Sequence, residues 1–207
     1  LAAEPAVDKK IYVQVSRGVQ LVRDHDFHGD EVPSVFAMCN PQSAPSESML
    51  QNGIKLCTEQ EIRWSNCHLK TISLLPNVLL KHAALEKGGV EALIVRDGRV
   101  VEGSSSNVFA VIEGRVHTPA TSNEILPGIT RSLLIALARE LDLDVVEDEL
   151  SLDSALGADE VWISSSTRGV IAVSSIDDQQ VGNGKPGPVW EQMHQRYEAM
   201  VDELRNG

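Results

Sequence analysis

Cations are scarce in this sequence. Eighteen lysines and arginines face thirty aspartates and glutamates, a formal net charge of −12. A nucleic-acid binder normally carries a basic patch, so no nucleic-acid partner is expected, and the acidic balance favours solubility. Long apolar runs are missing too. None approaches the roughly 18 residues of a membrane span, so no membrane partner is expected. Leu1-Ala2-Ala3-Glu4 has neither the basic start nor the long apolar region of a secretory signal. Cysteine is limited to Cys39, Cys57 and Cys67, odd in number and without a close metal-ligand pair. No metal is expected, and a reduced, cytoplasmic setting fits best. Internal repeats and low-complexity segments are also lacking. What remains is an ordinary hydrophobic content of 42% over 207 residues, enough for a substantial core in one or two domains.

The stretch Glu102-Gly103-Ser104-Ser105-Ser106-Asn107-Val108-Phe109 stands out between two apolar runs. Glycine and three serines offer close backbone approach and several hydroxyls for a polar ligand. Taken alone, the stretch reads equally as a solvated turn. It has company, however. Lys70 is the one lysine between Cys67 and Val78, Leu126-Pro127-Gly128-Ile129-Thr130 opens a helix, and Val161-Trp162-Ile163 runs into Ser164-Ser165-Ser166-Thr167-Arg168. An amine, an acid, a glycine-led helix start and a hydroxyl cluster suit one cofactor, pyridoxal phosphate. It needs an amine for its aldehyde, an acid for its ring nitrogen and donors for its phosphate. Free N–H groups at the helix start, from Ile129 and Thr130, make a ready anion site. A lysine enclosed by Leu69 and Ile72 would be desolvated and more often neutral; the other reading is a lysine that snorkels to water. Glu102 would stay charged beside a cationic ring nitrogen.

Taken in order, Ile11-Tyr12-Val13-Gln14-Val15 alternates and reads as a strand, with a second strand from Val35 to Cys39. Between them, Arg23 and His25 are two apart in a loop and would grip one carboxylate; alternatively, Asp24 and Asp26 neutralise them at the surface. Asn40 to Glu47 carries Pro41 and Pro45 and reads as a linker that separates residues 1–44 from residues 45–207. Ile54 to Cys57 and Ile62 to Trp64 read as short strands. Pro76 opens a helix ending at Gly88-Gly89, on which Lys81 and Lys87 read as solvated. Four strands, Ala92 to Val95, Arg99 to Val101, Val108 to Ile112 and Arg115 to His117, read as a meander with Asp97-Gly98 and Glu113-Gly114 as turns. A helix from Gly128 carries Leu133, Leu134, Leu137, Ala138 and Leu141. The acidic run Glu147 to Ala155 reads as surface. Strands follow at Glu160 to Ile163, Val170 to Ile176 and Gln180 to Gly182. The last helix presents Val189, Met193, Tyr197, Met200, Val201 and Leu204 as a core-packing stripe.

Lys70 through Val78, Glu102 through Phe109, Gly128 through Arg131 and Gly184-Lys185-Pro186-Gly187 occur in this order. Together they resemble the D-amino-acid aminotransferases of the class IV (fold type IV) pyridoxal-phosphate enzymes, a group that includes branched-chain aminotransferases and aminodeoxychorismate lyase. The resemblance runs from about Tyr12 to near the C-terminus. It implies an α/β (α+β) fold. Residues 1–44 would be the remainder of a small N-terminal α/β domain whose first part lies outside this sequence. Residues 45–207 would form the large cofactor-binding domain, a distorted β-barrel with helices. In the family that first part gives an arginine to the phosphate and a tyrosine to the substrate side.

The resemblance implies further that pyridoxal 5'-phosphate is held by Lys70, Glu102, Leu126, Gly128, Ile129, Thr130, Ser165 and Ser166, the last in place of the family's threonine. Lys70 would be covalent anchor and catalytic base, and Leu126 would lie behind the ring. Arg23 and His25 match the family's R-x-H loop, which binds the substrate α-carboxylate from the partner subunit, so a homodimer with sites near its interface is expected. The implied reaction is ping-pong transamination between an amino acid, such as D-alanine, and a 2-keto acid. The lyase or the branched-chain aminotransferase of the same fold is an alternative; Arg23-x-His25 favours the aminotransferase over the lyase. A non-catalytic truncated chain is a third reading, against which the intact Lys70 and Glu102 argue.

Overall fold

A computed structural model describes residues 8–23, 25–29 and 31–206. Leu1 to Glu4, read above for an export signal, and Asp24, a candidate neutraliser of Arg23, lie outside the described residues. The chain divides into two compact units, residues 1–44 and 45–207.

In the first unit, β1 (Lys9–Ser16) and β2 (Ser34–Pro41) pair antiparallel from Lys9↔Pro41 to Ser16↔Ser34. Alternation puts Ile11, Val13 and Val15 on one face of the ribbon. All three stay exposed, and no described residue of this unit joins a buried cluster. A two-stranded ribbon is marginal on its own. Its connecting loop is organised by the Glu31 carboxylate, which accepts from His28 N at 3.1 Å, Gly29 N at 3.0 Å and Gln20 Nε2 at 2.9 Å. Those bonds, the backbone of His28 foremost, hold its carboxyl at about 2.

The second unit opens with α1 (Glu47–Asn52), a short helix capped by Ser46 and too brief to show apolar periodicity. Then come β3 (Ile54–Gln60), α2 (Leu75–Glu86), β4 (Glu91–Arg96), β5 (Arg99–Gly103), β6 (Asn107–Ile112), β7 (Arg115–Pro119), α3 (Ile129–Glu140), β8 (Val145–Asp148) and β9 (Leu150–Ser151). The rest is α4 (Leu152–Leu156), β10 (Glu160–Ser165), β11 (Gly169–Ile176), β12 (Gln179–Gln180) and α5 (Pro188–Asn206). The strands form one ten-stranded sheet in the order β8-β7-β6-β10-β11-β3-β4-β5-β9, with β12 beside β11. β11–β3, β3–β4 and β7–β8 are parallel. β5 also lies against β6 and β7, so the sheet curls into a nearly closed barrel, and the fold is mixed α/β.

The expected meander is therefore two separate hairpins. Both turns place two successive residues at positive φ, Asp97 and Gly98 at 51° and 77°, Glu113 and Gly114 at 51° and 76°. That matches the twist of a tight hairpin. Between the hairpins stand β10, β11 and β3, because β6 takes β10 as its partner, a pairing no local pattern announces. Ile62 to Trp64 is not a strand. The Glu61 carboxylate accepts the Arg63 N–H at 2.8 Å and turns the backbone locally.

Period-two alternation explains the core. Val108 and Ala110 of β6, Val161 and Ile163 of β10, and Leu93 of β4 meet in one cluster. Their neighbours Phe109, Val111 and Trp162 point the other way, onto Leu134, Leu137 and Ala138 of α3 and Trp190 and Met193 of α5. Ala92 and Ile94 likewise turn outward onto Leu80 and Ala84 of α2. Both faces of these strands are buried, which is why they read as nearly continuous apolar runs. The Glu147–Ala155 run is only partly surface, since Leu150 and Ala155 are fully buried. Gly187 of the Gly184–Gly187 motif has a structural use. A Cβ there would meet the Glu160 carboxyl at 2.2 Å, and that carboxyl accepts from Val189 N and Trp190 N to cap α5. Leu204 departs from the expected stripe and is exposed.

Candidate active site

Glu102 ends β5 with 5% exposure, inside the second unit. Its carboxylate accepts the Leu126 N–H at 3.0 Å, and Asn107 Nδ2 lies at 3.4 Å. Asn107 also donates to the Leu126 carbonyl at 2.9 Å, and its Oδ1 lies against Gly128, where a Cβ would come within 2.2 Å. One asparagine thus joins the acid, the residue expected behind the cofactor ring and the glycine at the start of α3. A side chain at position 128 would force Asn107 to shift.

The third partner of Glu102 is Arg63, which sequence reasoning missed. Its Nη1 donates to Glu102, while Nε and Nη2 hold Glu61, Nη2 at 2.7 Å. The two acids respond oppositely. Burial pushes the Glu102 carboxyl up, and Arg63 and the Leu126 N–H only partly offset it. Burial also acts on Glu61, but bidentate Arg63, the Arg63 N–H and Arg96 together bring its carboxyl down. For Arg63, burial works against the charge, and the two carboxylates outweigh it. Among the protein's own groups, burial is thus the larger influence on Glu102.

Lys70 lies in an irregular stretch before α2 and is exposed, as are Leu69 and Ile72. The apolar enclosure expected around its amine is not built by the described residues. The stretch is nevertheless anchored at both ends. Cys67 N donates to the Asn123 carbonyl at 2.8 Å, three residues before Leu126, and Asn77 Nδ2 donates to the Ser104 carbonyl at 2.8 Å. Its neighbours are thus tied to the Glu102 loop and to the segment that enters α3. Lys81, expected to be solvated, is instead part-buried and reaches Glu91 at 3.2 Å.

Gly128 caps α3 without a side-chain hydrogen bond, so the first N–H groups, those of Ile129 and Thr130 among them, are free of a cap. In the β6–β10 ladder Ser164 stands opposite Asn107, on the same face. The hydroxyls of Ser164 and Ser106 are buried and without a hydrogen-bond partner among the described residues. Ser165 ends β10 and Ser166 begins the exposed turn beyond it. A buried carboxylate, uncapped helical N–H groups and orphaned hydroxyls fit the needs of pyridoxal phosphate.

In the first unit, Arg23 and His25 are exposed. His25 lines a shallow cavity of about 210 Å³ together with Arg17, Asp26 and Glu31. Arg17 lies over the Phe27 ring at 3.9 Å. No cluster of residues suited to a metal occurs among the described residues, and no helix there is long and apolar enough to cross a membrane. Arg63 and Glu91 were not singled out, and Asn107 was noted only as part of the Glu102–Phe109 stretch. Each carried a signal: a charge or amide within or beside an apolar strand.

Comparison with known proteins identifies the family. A family profile described as amino-transferase class IV matches residues 2–176. The D-alanine aminotransferase of Bacillus licheniformis is 40% identical over 182 residues, 88% of this chain and 64% of that protein. That of Staphylococcus haemolyticus is 37% identical over 93% of this chain and 68% of its own length. The chain thus spans about two thirds of the length of these relatives. Among solved structures, the branched-chain amino acid aminotransferase of Thermobaculum terrenum in its PLP form superposes with a TM-score of 0.80 at 26% identity, covering 92% of this chain and 64% of that one. The branched-chain enzyme of Escherichia coli gives 0.75 at 30% identity, over 83% and 59%. By sequence and by fold, the chain belongs to the class IV aminotransferases.

Proposed function

We propose that this chain carries the cofactor site of a pyridoxal-phosphate-dependent aminotransferase that exchanges the amino group of a D-amino acid, such as D-alanine, with a 2-keto acid. The observation that carries the proposal is the buried Glu102 carboxylate, wired through Asn107 and Leu126 to the uncapped start of α3. The 36–40% identity to D-alanine aminotransferases favours a D-amino acid over a branched-chain L-amino acid.

Lys70 would hold the cofactor, Glu102 would face its ring nitrogen, and Leu126 would lie behind the ring. Gly128, Ile129, Thr130, Ser165 and Ser166 would take its phosphate. When bound, pyridoxal phosphate supplies an electron-withdrawing ring for the negative charge that develops at the substrate Cα. Lys70 Nζ would carry the proton from that Cα to the cofactor carbon C4′, as base and then acid, and carry one back in the reverse half-reaction. Glu102 would set a negative charge against the ring nitrogen, and its burial would strengthen the attraction to a cation there. Arg23 and His25 would bind the substrate α-carboxylate, donated across a homodimer. Cys39, Cys57 and Cys67 are all free thiols, which suits a cytoplasmic setting.

The test is a panel of D- and L-amino acids, each with pyruvate or 2-oxoglutarate as acceptor, run on the protein saturated with pyridoxal phosphate. Keto-acid release that needs an acceptor and prefers D-alanine is expected. Preference for branched-chain L-amino acids would replace the substrate assignment. Acceptor-independent pyruvate formation from aminodeoxychorismate would replace the reaction.

A further inference from the structure

We infer that Glu91 is a positioning residue that locks the three cofactor-facing segments of the second unit to one another. The inference rests on the cofactor reading above. Glu91 begins β4 and has no exposure at all. A carboxylate removed from water loses several kcal/mol of hydration unless donors replace it. Here they do, and their origin matters more than their number. Ser104 Oγ and Ser105 Oγ donate to it, the second at 3.1 Å. Both belong to the loop that follows Glu102. Lys81 Nζ lies at 3.2 Å and comes from α2, the helix that follows Lys70. Arg168 Nη1 lies at 3.6 Å and comes from the turn that follows Ser165 and Ser166. The N–H of Ala92, at 3.0 Å, completes the set.

Every neighbour is a donor, and two are cations. An acceptor-only group suits this point, since a glutamine would turn its N–H₂ either toward the Ala92 N–H or toward Lys81 and Arg168. Ser104 closes a second connection, because its carbonyl accepts from Asn77 of α2 at 2.8 Å. Fixing Ser104 on both its hydroxyl and its carbonyl sets the loop between Glu102 and Asn107, and with it the direction of the Glu102 carboxylate. Nothing in fold stability alone demands a fully buried anion here. A well-packed apolar residue is often as stabilising as a buried ion pair.

The test compares Glu91→Gln with wild type in the whole protein, by titration of the apoprotein with pyridoxal phosphate, by kcat and KM for D-alanine, and by thermal unfolding. The expected result is about a tenfold or larger rise in the cofactor dissociation constant and a fall in kcat, with KM changed less than about threefold. Ser105→Ala and Arg168→Met, each removing one donor, should weaken the cofactor about threefold alone and add little on top of Glu91→Gln. A Glu91→Gln protein that melts earlier yet binds and turns over as wild type would overturn the inference and leave a purely structural anion. Should Glu91→Gln not fold, Ser105→Ala and Arg168→Met decide: wild-type affinity in both overturns the inference. Wild-type protein that takes up no pyridoxal phosphate would overturn both the cofactor reading and this one. Uptake that Glu91→Gln leaves unaltered would overturn this one alone.

Discussion

Lys70 and Glu102 differ in nearly every physical respect. Lys70 is exposed, on an irregular stretch, with no hydrogen bond to its amine among the described residues. Glu102 is buried at the end of a strand and held by Arg63, Leu126 and Asn107. The difference follows from what each is proposed to do. A group that carries protons between atoms must move. A group that fixes one charge opposite another must not, and gains strength from low dielectric. Arg23 and His25, exposed on the loop of the first unit, belong with Lys70 in kind; Asn107 and Gly128 belong with Glu102. The exposed set should therefore govern rate with little effect on stability, and the buried set should govern both.

The largest effect is expected from Lys70→Ala, which removes both covalent anchor and proton carrier. Turnover should vanish, while the unfolding free energy should change by no more than about 0.5 kcal/mol, as for other surface substitutions. Activity retained without added amine, or a clearly lower urea midpoint, would break the contrast. Next comes Arg23→Ala. A charge-assisted contact to the substrate carboxylate contributes about 1.5–3 kcal/mol, so kcat/KM should fall roughly 10- to 100-fold. Simple amines without a carboxylate should be affected little, and stability not at all. If the loop acts in trans, mixing Arg23→Ala chains with Lys70→Ala chains should restore activity in the heterodimers; heterodimers that stay inactive would reject that arrangement.

Asn107→Ala should behave in the opposite way. It leaves the Leu126 carbonyl and the Glu102 carboxylate each short of a donor, a loss of about 1–3 kcal/mol in unfolding free energy. Cofactor affinity should drop with it. An unchanged urea midpoint would show that the wiring is dispensable.

Members of both sets were legible in the sequence. Lys70, Glu102, Gly128 and the serines of β10 stood out because each is an unusual residue in a recognisable neighbourhood. The strands of the second unit were legible because burial on both faces leaves apolar runs. Their order was not, since β6 pairs with β10 across some fifty residues of chain and β5 with β9, and hairpin signals speak only for adjacent strands. Arg63 and Glu91 went unnoticed for a related reason. Each gets its meaning from partners brought in by that topology: Glu102 lies 39 positions from Arg63, and Ser104 lies 13 from Glu91. A charge at the edge of an apolar run is a weak sign of such a partner. It could have raised the question for Glu91, which precedes Ala92-Leu93-Ile94-Val95.

The smallest expected effect sharpens the comparison most, because it sets two acids on one guanidinium against each other. Glu102 has a folded pKa above the ordinary carboxyl value of 4.5, through burial, and Glu61 has one below it, through Arg63 and Arg96 prevailing over burial. A carboxyl raised on folding binds more protons folded than unfolded, so its contribution to stability declines as pH rises from about 4.5 toward its folded pKa. A carboxyl lowered on folding does the reverse: its contribution is present above 4.5 and is lost as pH falls toward its folded pKa. Glutamine removes either titration. Relative to wild type, Glu102→Gln should therefore gain stability as pH rises above 4.5, and Glu61→Gln should lose relative stability as pH rises toward 4.5 from the acid side. Urea midpoints of the three proteins across this range measure both slopes. Slopes of equal sign would mean that burial does not set Glu102 apart from Glu61, and the buried charge proposed to face the cofactor ring would not be distinguished from its neighbour. Opposite slopes, together with a Glu102→Gln enzyme that binds cofactor nearly as wild type but turns over more slowly, would place that charge where the chemistry needs it.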